Sequence, residues 1–460
     1  MNTSSKAPGL PGRLPPESGK TTMSNQTPAR IAGILINALK GGVVPRVGLE
    51  YITVGRAQEI AAILHDIDMV SDGGASLRFI VGKYGSGKSF LLQTIRNYAT
   101  AKGFAVVDAD LSPERRFAGT KGQGLATYKE LMQNLSTKSK PDGGALPLIL
   151  ERWISGVQTS LKASTDLEGA AFDLHVEKQI YAVAGTLEGM VNGFEFAKAI
   201  IAYWRAYRED DSAMKSNVLR WFRGEYATRR EAKADLDINF IVTDETWYDF
   251  LKILAVFLVS AGYKGLLVLI DELVNIFKIP NSITRQNNYE KILTIYNDVL
   301  QGKARHIGFL MGGTPQCIED RYKGVYSYEA LRSRLAEGHF ATGSLKDLSA
   351  PVIRLKMLTQ EEMYVLIEKL RDIHAQLYNY QPALKHEDLL YFLTVEYNRV
   401  GADTHITPRE IIRDFIELTG ILHQNPDKSV ADILGSNSFE MAKGGMTDED
   451  IHADFKEFEI

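Results

Sequence analysis

The sequence predicts an α/β fold in which helices flank a five-stranded parallel sheet, together with a large, mostly helical insertion and a C-terminal helical lid. Three observations predict this fold. A glycine-rich loop joins an apolar strand pattern to a helix pattern. A later apolar run ends in two adjacent carboxylates. Strand and helix patterns then alternate, which is typical of parallel strands that are buried on both faces.

The glycine-rich loop fits the phosphate-binding template G-x-x-x-x-G-K-[ST] at every fixed position. We predict that the loop and the residue after it bind a nucleoside triphosphate: Gly82, Lys83, Tyr84, Gly85, Ser86, Gly87, Lys88, Ser89 and Phe90. In such a loop, backbone N–H groups surround the phosphates, the lysine reaches the β- and γ-phosphates, and the hydroxyl binds Mg²⁺. Lys88 is therefore a candidate catalytic residue and Ser89 a candidate metal ligand. A chance glycine-rich loop is the alternative, which the flanking strand and helix patterns disfavour.

The apolar run 265–270 is followed by Asp271 and Glu272. A strand that is buried on both faces would deliver Asp271 to the Mg²⁺ shell and Glu272 to the water that attacks the γ-phosphate. Adjacent carboxylates at an ordinary helix N-terminus are the alternative. The apolar run favours the first interpretation, with Asp271 as a metal ligand and Glu272 as a catalytic residue.

A further strand pattern begins at Arg305 and ends in small and polar residues. Thr314, near its end, is placed to sense the γ-phosphate, although Gly-Thr-Pro is also ordinary turn chemistry. Helical spacing over 287–300 makes a strand–helix–strand unit with the run before it. Strand patterns at 104–108 and 352–355 bring the total to five.

Two groups of arginines are candidates for the γ-phosphate. ATP-driven motors often complete their site with an arginine from a neighbouring subunit, called an arginine finger. Arg334 lies where such a finger is expected, and Arg332 is the second choice. A solvated helix face with salt bridges is the alternative. Arg409 lies in the first turn of a helix that Thr407 caps and Pro408 begins. Because an arginine at a helix N-terminus is electrostatically unfavourable, a function at the ATP site is the preferred interpretation for Arg409.

The composition is typical of a protein that works in a reducing compartment of the cell. The 460 residues suggest about three folding units. The single cysteine, Cys317, excludes an intramolecular disulfide, so we expect a cytoplasmic protein. The most apolar helix pattern, 247–259, is too short to span a bilayer, and we expect no membrane contact. The net charge of −4 means that any contact with nucleic acid must come from a local patch.

The order of these motifs resembles that of the AAA+ superfamily of P-loop NTPases. Gly55 and Arg56 begin a Gly-Arg-x-x-Glu box that is similar to that of the Orc/Cdc6 initiator branch, where the box packs near the nucleotide base. The resemblance implies that both residues contribute to the ATP site. Residues 352–362 resemble the passage from the last strand to the helical lid in that branch.

A closer resemblance, to the BrxD-type ATP-binding proteins of bacterial BREX phage-defence systems, covers nearly the whole chain after about residue 27. Segments 144–153, 219–226 and 312–331 carry it. It implies a cytoplasmic ATPase in antiviral defence, using ATP and Mg²⁺ and commonly found beside a large helicase. From the initiator branch we further expect a homo-oligomer that assembles on DNA under the control of ATP and recruits or loads the helicase.

Between the phosphate-binding loop and Asp271 there is room for an insertion, 125–244. It interleaves aromatic and basic residues: Trp204, Arg205, Tyr207, Arg208, Arg220, Trp221, Phe222, Arg223, Tyr226, Arg229 and Arg230. Such side chains can neutralise phosphates and stack on bases. Core packing of the aromatic rings, with the arginines reaching outward, is the stronger alternative.

We therefore divide the chain into six parts. They are a disordered N-terminal segment (1–26), the two parts of the core (27–124 and 245–358), the insertion (125–244), the lid (359–434) and an acidic tail (435–460). An ATP hydrolase is the leading hypothesis. A slow ATP-binding switch that regulates a protein partner is the main alternative. A small-molecule kinase explains the loop but not the paired carboxylates.

Overall fold

The structure, a computed structural model, describes residues 27–185, 190–336, 347–382, 384–398 and 407–435. The predicted disordered segment, 1–26, and residues 436–460 of the predicted tail lie outside the described residues. The strands are β1 (Ala75–Val81), β2 (Ala105–Asp110), β3 (Leu266–Asp271), β4 (Ile307–Gly313) and β5 (Val352–Arg354). They form one parallel sheet in the order β2-β3-β4-β1-β5. The prediction of five parallel strands is confirmed.

The helices cover both faces of the sheet and continue well beyond it. They are α1 (Ala29–Lys40), α2 (Leu49–Ile52), α3 (Ala57–Ser71), α4 (Lys88–Ala101), α5 (Gln123–Gln133), α6 (Leu146–Ser164), α7 (Gly169–Gly185), α8 (Gly193–Arg208), α9 (Ser212–Phe222), α10 (Arg229–Leu236), α11 (Trp247–Ser260), α12 (Val274–Phe277), α13 (Ser282–Leu300), α14 (Pro315–Glu319), α15 (Glu329–Leu335), α16 (Gln360–Leu377), α17 (His386–Tyr397), α18 (Pro408–Gln424) and α19 (Val430–Leu434). In the described ranges no helix is long and apolar enough to cross a membrane.

Both faces of the sheet are buried, which is why its strands are continuous apolar runs. Along β3, Leu266, Val268 and Ile270 pack on one face in a cluster that includes α11 and the helices that follow β2. Leu267 and Leu269 pack on the other face with α3 and α4. The carboxyl ends of the parallel strands therefore meet at one edge, where the loops after β1, β3 and β4 come together.

Helices α5 to α10, most of which lie in the predicted insertion, share the hydrophobic cluster of the sheet rather than forming a core of their own. Trp153 packs edge-to-face on Phe257 of α11, with ring centroids 5.2 Å apart. The hydroxyl of Tyr128 donates to the carbonyl of Phe222 at 2.7 Å. These contacts tie the added helices to α11 and, through it, to the sheet.

Four of the five interleaved aromatic residues of this region are buried core residues, which contradicts the hypothesis that they stack on bases, whereas Tyr207 is half-buried. Trp204, Trp221, Phe222 and Tyr226 are each at most 2% exposed. Four of the arginines beside them form ion pairs, Arg205 with Glu177, Arg208 with Asp173 and Glu209, Arg220 with Glu231 and Asp235, and Arg223 with Glu225. The aromatic rings are packed away from solvent because amphipathic helices bury them against α11.

A second hydrophobic cluster, which we call the lid cluster because it includes helices of the predicted lid, joins the two ends of the described chain. Leu35 of α1 and Ile52 of α2 belong to the same cluster as Ile367 of α16 and Phe415 of α18. Residues 29–52 therefore pack with the predicted lid, although we assigned them to the core. Sequence alone gave no indication of this contact because the partners lie more than 300 residues apart.

Candidate nucleotide-binding site

A cleft at the carboxyl edge of the sheet separates the sheet from the lid cluster. Its floor is the loop Tyr84–Ser89, and one side is formed by Asp271, Glu272 and Thr314. Its opposite walls come from the N-terminal segment and from the lid, including Leu39, Val43, Val44, Pro45, Ile52, Val54, Leu358, Leu366, Pro408 and Ile412. The cleft is thus polar where phosphates would lie and apolar where a base would lie.

The phosphate-binding loop has the backbone that its glycines allow. Gly85 and Gly87 have φ values of 76° and 85°, which L-residues with side chains rarely adopt. Lys88 begins α4, so the N-terminal dipole of that helix points at the cleft. The ammonium of Lys88 donates to the carbonyls of Gly82 (2.9 Å) and Lys83 (3.1 Å). Burial lowers the pKa of Lys88, and the charges of Asp271 and Glu272 oppose that shift.

Gly82 and Lys83 do not line the cleft, contrary to our expectation of a direct contact with the nucleotide. Their carbonyls lie behind the loop and orient Lys88. A Cβ on Gly82 would lie 2.2 Å from the hydroxyl oxygen of Ser86, so only glycine fits there. The carbonyls of both residues accept from Lys88, and their contact with a nucleotide stays a prediction.

Ser89 and Asp271 lie in direct contact. The Ser89 hydroxyl donates to Oδ2 of Asp271 at 2.6 Å. A Cβ on Gly312 of β4 would lie 2.2 Å from the other carboxylate oxygen, so glycine at this position makes room for the Asp271 side chain. A hydroxyl and a carboxylate are hard oxygen donors of the kind that Mg²⁺ prefers. The two predicted metal ligands are thus brought together and fit that ion.

Glu272 lines the cleft next to Asp271 and has a left-handed backbone, with φ at 62°. Its N–H donates to Oδ1 of Asp271 at 2.9 Å. A non-glycine residue in this region is strained, and such strain is found at functional sites. Burial raises the pKa of Glu272, and the negative charges of Asp271 and Asp110 raise it further, whereas Lys88 lowers it.

Asp110 acts on this site through its charge, and our sequence analysis missed it. It ends β2 and is the register partner of Asp271 in the parallel ladder, with its side chain exposed. The pattern Asp-Ala-Asp at the end of an apolar strand was visible in the sequence. Only the pairing of β2 with β3 shows that the second of these carboxylates lies level with Asp271 in the sheet.

Thr314 combines the two alternatives that the sequence left open. It lines the cleft. Its hydroxyl oxygen also accepts from the N–H of Cys317 at 3.3 Å and so caps α14. Because a hydroxyl that accepts one hydrogen bond can still donate another, the cap leaves the Thr314 proton available to the cleft.

Arg56 lines the cleft, whereas Gly55 does not. The buried Arg56 guanidinium donates to the carbonyls of Ser86 (3.0 Å) and Lys356 (2.6 Å), and so links the phosphate-binding loop to the segment after β5. A Cβ on Gly55 would lie 2.3 Å from the carboxylate of Glu362, which closes the capping box of α16. Gly55 was predicted to bind the nucleotide, but its constraint is packing against that helix cap.

Arg409 lines the cleft from the lid side. Thr407 caps α18 and Pro408 occupies its first turn, as predicted. A Cβ on Gly42 would lie 3.6 Å from Cδ of Arg409, so the arginine stem passes close to the N-terminal segment. Among the described residues, no carboxylate lies within ion-pair distance of the Arg409 guanidinium.

Arg332 and Arg334 lie on α15 and do not line this cleft. Arg332 pairs with Glu329 at 3.2 Å, one helical turn away. The Arg334 guanidinium donates to the carbonyl of Ala330 at 2.6 Å and is exposed. Neither arginine therefore contacts the site of its own chain.

The wall formed by Val43, Val44 and Pro45 was also missed. An apolar triplet after two glycines carries no template of its own, and its place in the site depends on the packing of α1 against the lid.

Comparison with known proteins gives one family. The family model of the BREX system ATP-binding protein BrxC/D matches residues 27–438, which is most of the chain. No curated protein matches the chain.

Proposed function

The chain belongs to the BREX system ATP-binding protein BrxC/D family, and on that premise we propose that it is a Mg²⁺-dependent ATP hydrolase of the AAA+ class. One observation carries this proposal. The Ser89 hydroxyl meets the Asp271 carboxylate at 2.6 Å, with Glu272 beside it, in a cleft floored by a phosphate-binding loop. That is the arrangement that phosphoryl transfer requires of a protein.

Each residue has a distinct task in this proposal. The amides of the loop and the start of α4 hold the phosphates. Ser89 and Asp271 would hold Mg²⁺, which neutralises phosphate charge when bound. The Glu272 carboxylate accepts a proton from the attacking water. Lys88 and Arg409 face the phosphates as cations, and the Thr314 hydroxyl can donate a hydrogen bond to the phosphates.

The proposal includes assembly into a homo-oligomer. Arg334 is exposed on α15, away from the cleft of its own chain. It is therefore available to the cleft of a neighbour, where it would stabilise charge on the γ-phosphate. Arg332 is engaged with Glu329, which makes it the weaker candidate.

Within the defence system, we place the ATPase on DNA, where ATP-controlled assembly recruits or loads a partner helicase. This part of the proposal rests on the resemblance to the initiator branch of AAA+ proteins. It predicts that DNA stimulates hydrolysis and that ATP, but not ADP, supports assembly.

The test compares two variants of the purified full-length chain. Lys88→Ala removes the cation that reaches the phosphates, so both ATP binding and hydrolysis should be lost. Glu272→Gln keeps the shape of the side chain and removes its basicity, so ATP binding should persist while turnover falls by about 10²- to 10⁴-fold. Retention of turnover in both variants would overturn the site assignment. Hydrolysis is measured by phosphate release and binding by calorimetry.

A slow ATP-dependent switch is the second candidate function. It is favoured by the construction of the cleft, because a nucleotide there would contact the sheet, the lid and the N-terminal segment together. Binding would then order these parts relative to one another and present a surface to a protein partner. A wild-type chain that binds ATP, ignores DNA and turns over less than about once per hour would support this candidate against the motor.

A further inference from the structure

The turn between α14 and the short 3₁₀ helix Val325–Ser327 presents three exposed side chains in a row, Arg321, Tyr322 and Lys323. We call these three residues the cationic turn. Tyr322 is 88% exposed, more than any other large apolar or aromatic side chain in the described ranges. An exposed aromatic ring with a cation on either side of it along the chain is the kind of surface on which a nucleic-acid base can stack.

We propose that the cationic turn binds single-stranded nucleic acid, with Tyr322 stacking on a base and Arg321 and Lys323 contacting phosphates. The inference rests on the proposed function in taking nucleic acid as the partner, and it assigns the contact to residues outside the ATP cleft.

The turn is fixed in shape by its own hydrogen bonds. One oxygen of the Asp320 carboxylate accepts from the N–H groups of both Tyr322 and Lys323, at 2.7 Å each. The buried Tyr289 of α13 donates from its hydroxyl to the carbonyl of Lys323 at 2.6 Å. A Cβ on Gly324 would lie 2.7 Å from the carbonyl oxygen of Asp320, so the chain can close the turn only with glycine there. A preformed turn presents its side chains without the entropy cost of ordering a loop on binding.

The turn carries two cations against one carboxylate, that of Asp320, which accepts from backbone N–H groups of the turn and interacts electrostatically with Lys323. In the part of the chain that the structure describes, neither Arg321 nor Lys323 has a carboxylate oxygen within 4.0 Å. The insertion arginines differ, because Arg205 and Arg220 are paired with glutamates. Since the whole chain carries a net charge of −4, attraction of a polyanion has to come from such a local, unpaired set.

A single strand fits this turn better than a duplex does. Stacking on an exposed aromatic ring requires a base face, which a duplex hides between neighbouring pairs. The turn also lies close to the ATP site along the chain. Thr314, which lines the cleft, caps the five-residue helix α14, and the turn follows that helix directly.

The experiment measures binding of a fluorescent single-stranded oligonucleotide to the full-length chain by anisotropy, in ATP and Mg²⁺. Tyr322→Ala should raise the Kd by about 5- to 150-fold, because stacking on one aromatic ring contributes about 1 to 3 kcal/mol per base. Tyr322→Phe retains the ring and should bind nearly as the wild type does. Tyr181→Ala is the matched control, since Tyr181 is a 50% exposed tyrosine on α7, in the insertion.

The charges are tested by salt dependence. Each phosphate contact on a single strand contributes about 0.7 to the slope of log K against log salt concentration. The double variant Arg321→Ala and Lys323→Ala should therefore reduce the magnitude of that slope by about 1.4. Hydrolysis without nucleic acid should be unchanged in all these variants, which shows that the ATP site is intact.

The outcomes separate this inference from the proposed function. If wild-type protein binds the oligonucleotide and Tyr322→Ala binds equally well, the inference is wrong and the DNA part of the proposed function stands. If wild-type protein binds neither this oligonucleotide nor a duplex of the same sequence, both are wrong, and if it binds the duplex alone, only the inference is wrong. If Tyr322→Ala leaves binding intact and instead disrupts ATP-dependent assembly, the turn is a protein interface and the inference is overturned.

Discussion

Glu272 shows how one residue can combine backbone strain with a shifted acidity. Its left-handed backbone places the carboxylate beside that of Asp271, and burial together with the neighbouring negative charges raises its pKa. A raised pKa makes the carboxylate a stronger base toward water. The same shift in pKa means that Glu272 takes up a proton, and loses the basicity that its proposed role requires, at a higher pH than an ordinary glutamate does.

Asp110 contributes to this shift, and Asp110→Asn tests it. Removing the Asp110 charge lowers the pKa of Glu272, because one of the like charges that disfavour its ionised form is lost. The acidic limb of the profile of kcat against pH should therefore move to lower pH. Phosphate release across a pH series measures it.

Asp142→Asn serves as the control for that profile, since Asp142 is an exposed aspartate in the segment between α5 and α6. An acidic limb that stays in place in Asp110→Asn, or moves to higher pH, would contradict the role of Asp110.

At the residue scale, the sequence predicted those site residues that belong to motifs with a fixed spacing along the chain. Lys88, Ser89 and the carboxylate pair follow templates, and the structure brings them into one cleft. Asp110 and Gly312 have no such template, because each enters the site through the pairing of its strand with a neighbour. Gly55 illustrates a related limit, since the pattern of the Gly-Arg-x-x-Glu box does not reveal which of its residues packs against a helix cap.

At the scale of elements, local chemistry determined where helices begin. Thr359 and Thr407 each form a capping box with a glutamate three residues later, and both starts agree with the sequence pattern. The insertion was harder to interpret because aromatic and basic residues at helical spacing suit a nucleic-acid surface as well as a core helix, although core packing was the stronger alternative. Burial against α11 decides the matter, and burial is a property of the folded chain.

The cap of α18 is expected to matter for ATP because Arg409 lies in the same turn. Thr407→Ala removes the cap and should destabilise the helix start by about 1 kcal/mol. We expect weaker ATP binding, because Arg409 then loses its fixed place at the cleft. Calorimetric titration with ATP measures the effect.

Ser429→Ala is the matched control for that variant. Ser429 forms the same capping box at α19, and neither Ser429 nor α19 lines the cleft. Its loss should lower stability by a similar amount and leave ATP affinity unchanged. Equal losses of affinity in the two variants would show that the effect is general destabilisation and not the position of Arg409.

At the scale of the whole molecule, the cleft lies between two hydrophobic units. One contains the sheet with its surrounding helices, and the other contains α1 and α2 packed with α16 to α19. The five strands were predictable because each is a continuous apolar run with a local signal. The packing of α1 against the lid was not predictable, because it depends on contacts between the two ends of the described chain.

Leu35→Ala tests the packing of α1 against the lid. Leu35 is fully buried in the lid cluster, and its truncation should destabilise that cluster by about 2 to 5 kcal/mol. Because α1 leads into the Val43–Pro45 wall, ATP affinity should fall as well. Leu150→Ala in α6 is the control, as Leu150 is equally buried but belongs to the cluster of the sheet.

The two variants are compared by thermal unfolding with and without ATP. Both should lower Tm, and only Leu35→Ala should reduce the shift that ATP produces. A reduced ATP shift in Leu150→Ala of the same size would contradict a special link between α1 and the nucleotide.

The packing of α1 on the lid also determines when α1 can fold into its final contacts while the ribosome makes the chain. Helix α1 is among the first parts of the described chain to emerge, and α16 follows roughly 320 residues later. At about 5 to 20 residues per second, α1 waits roughly 15 to 65 s with its apolar face uncovered. The cleft is completed only after the lid has been made, so a nascent chain carries a finished phosphate-binding loop long before it has a closed pocket for ATP.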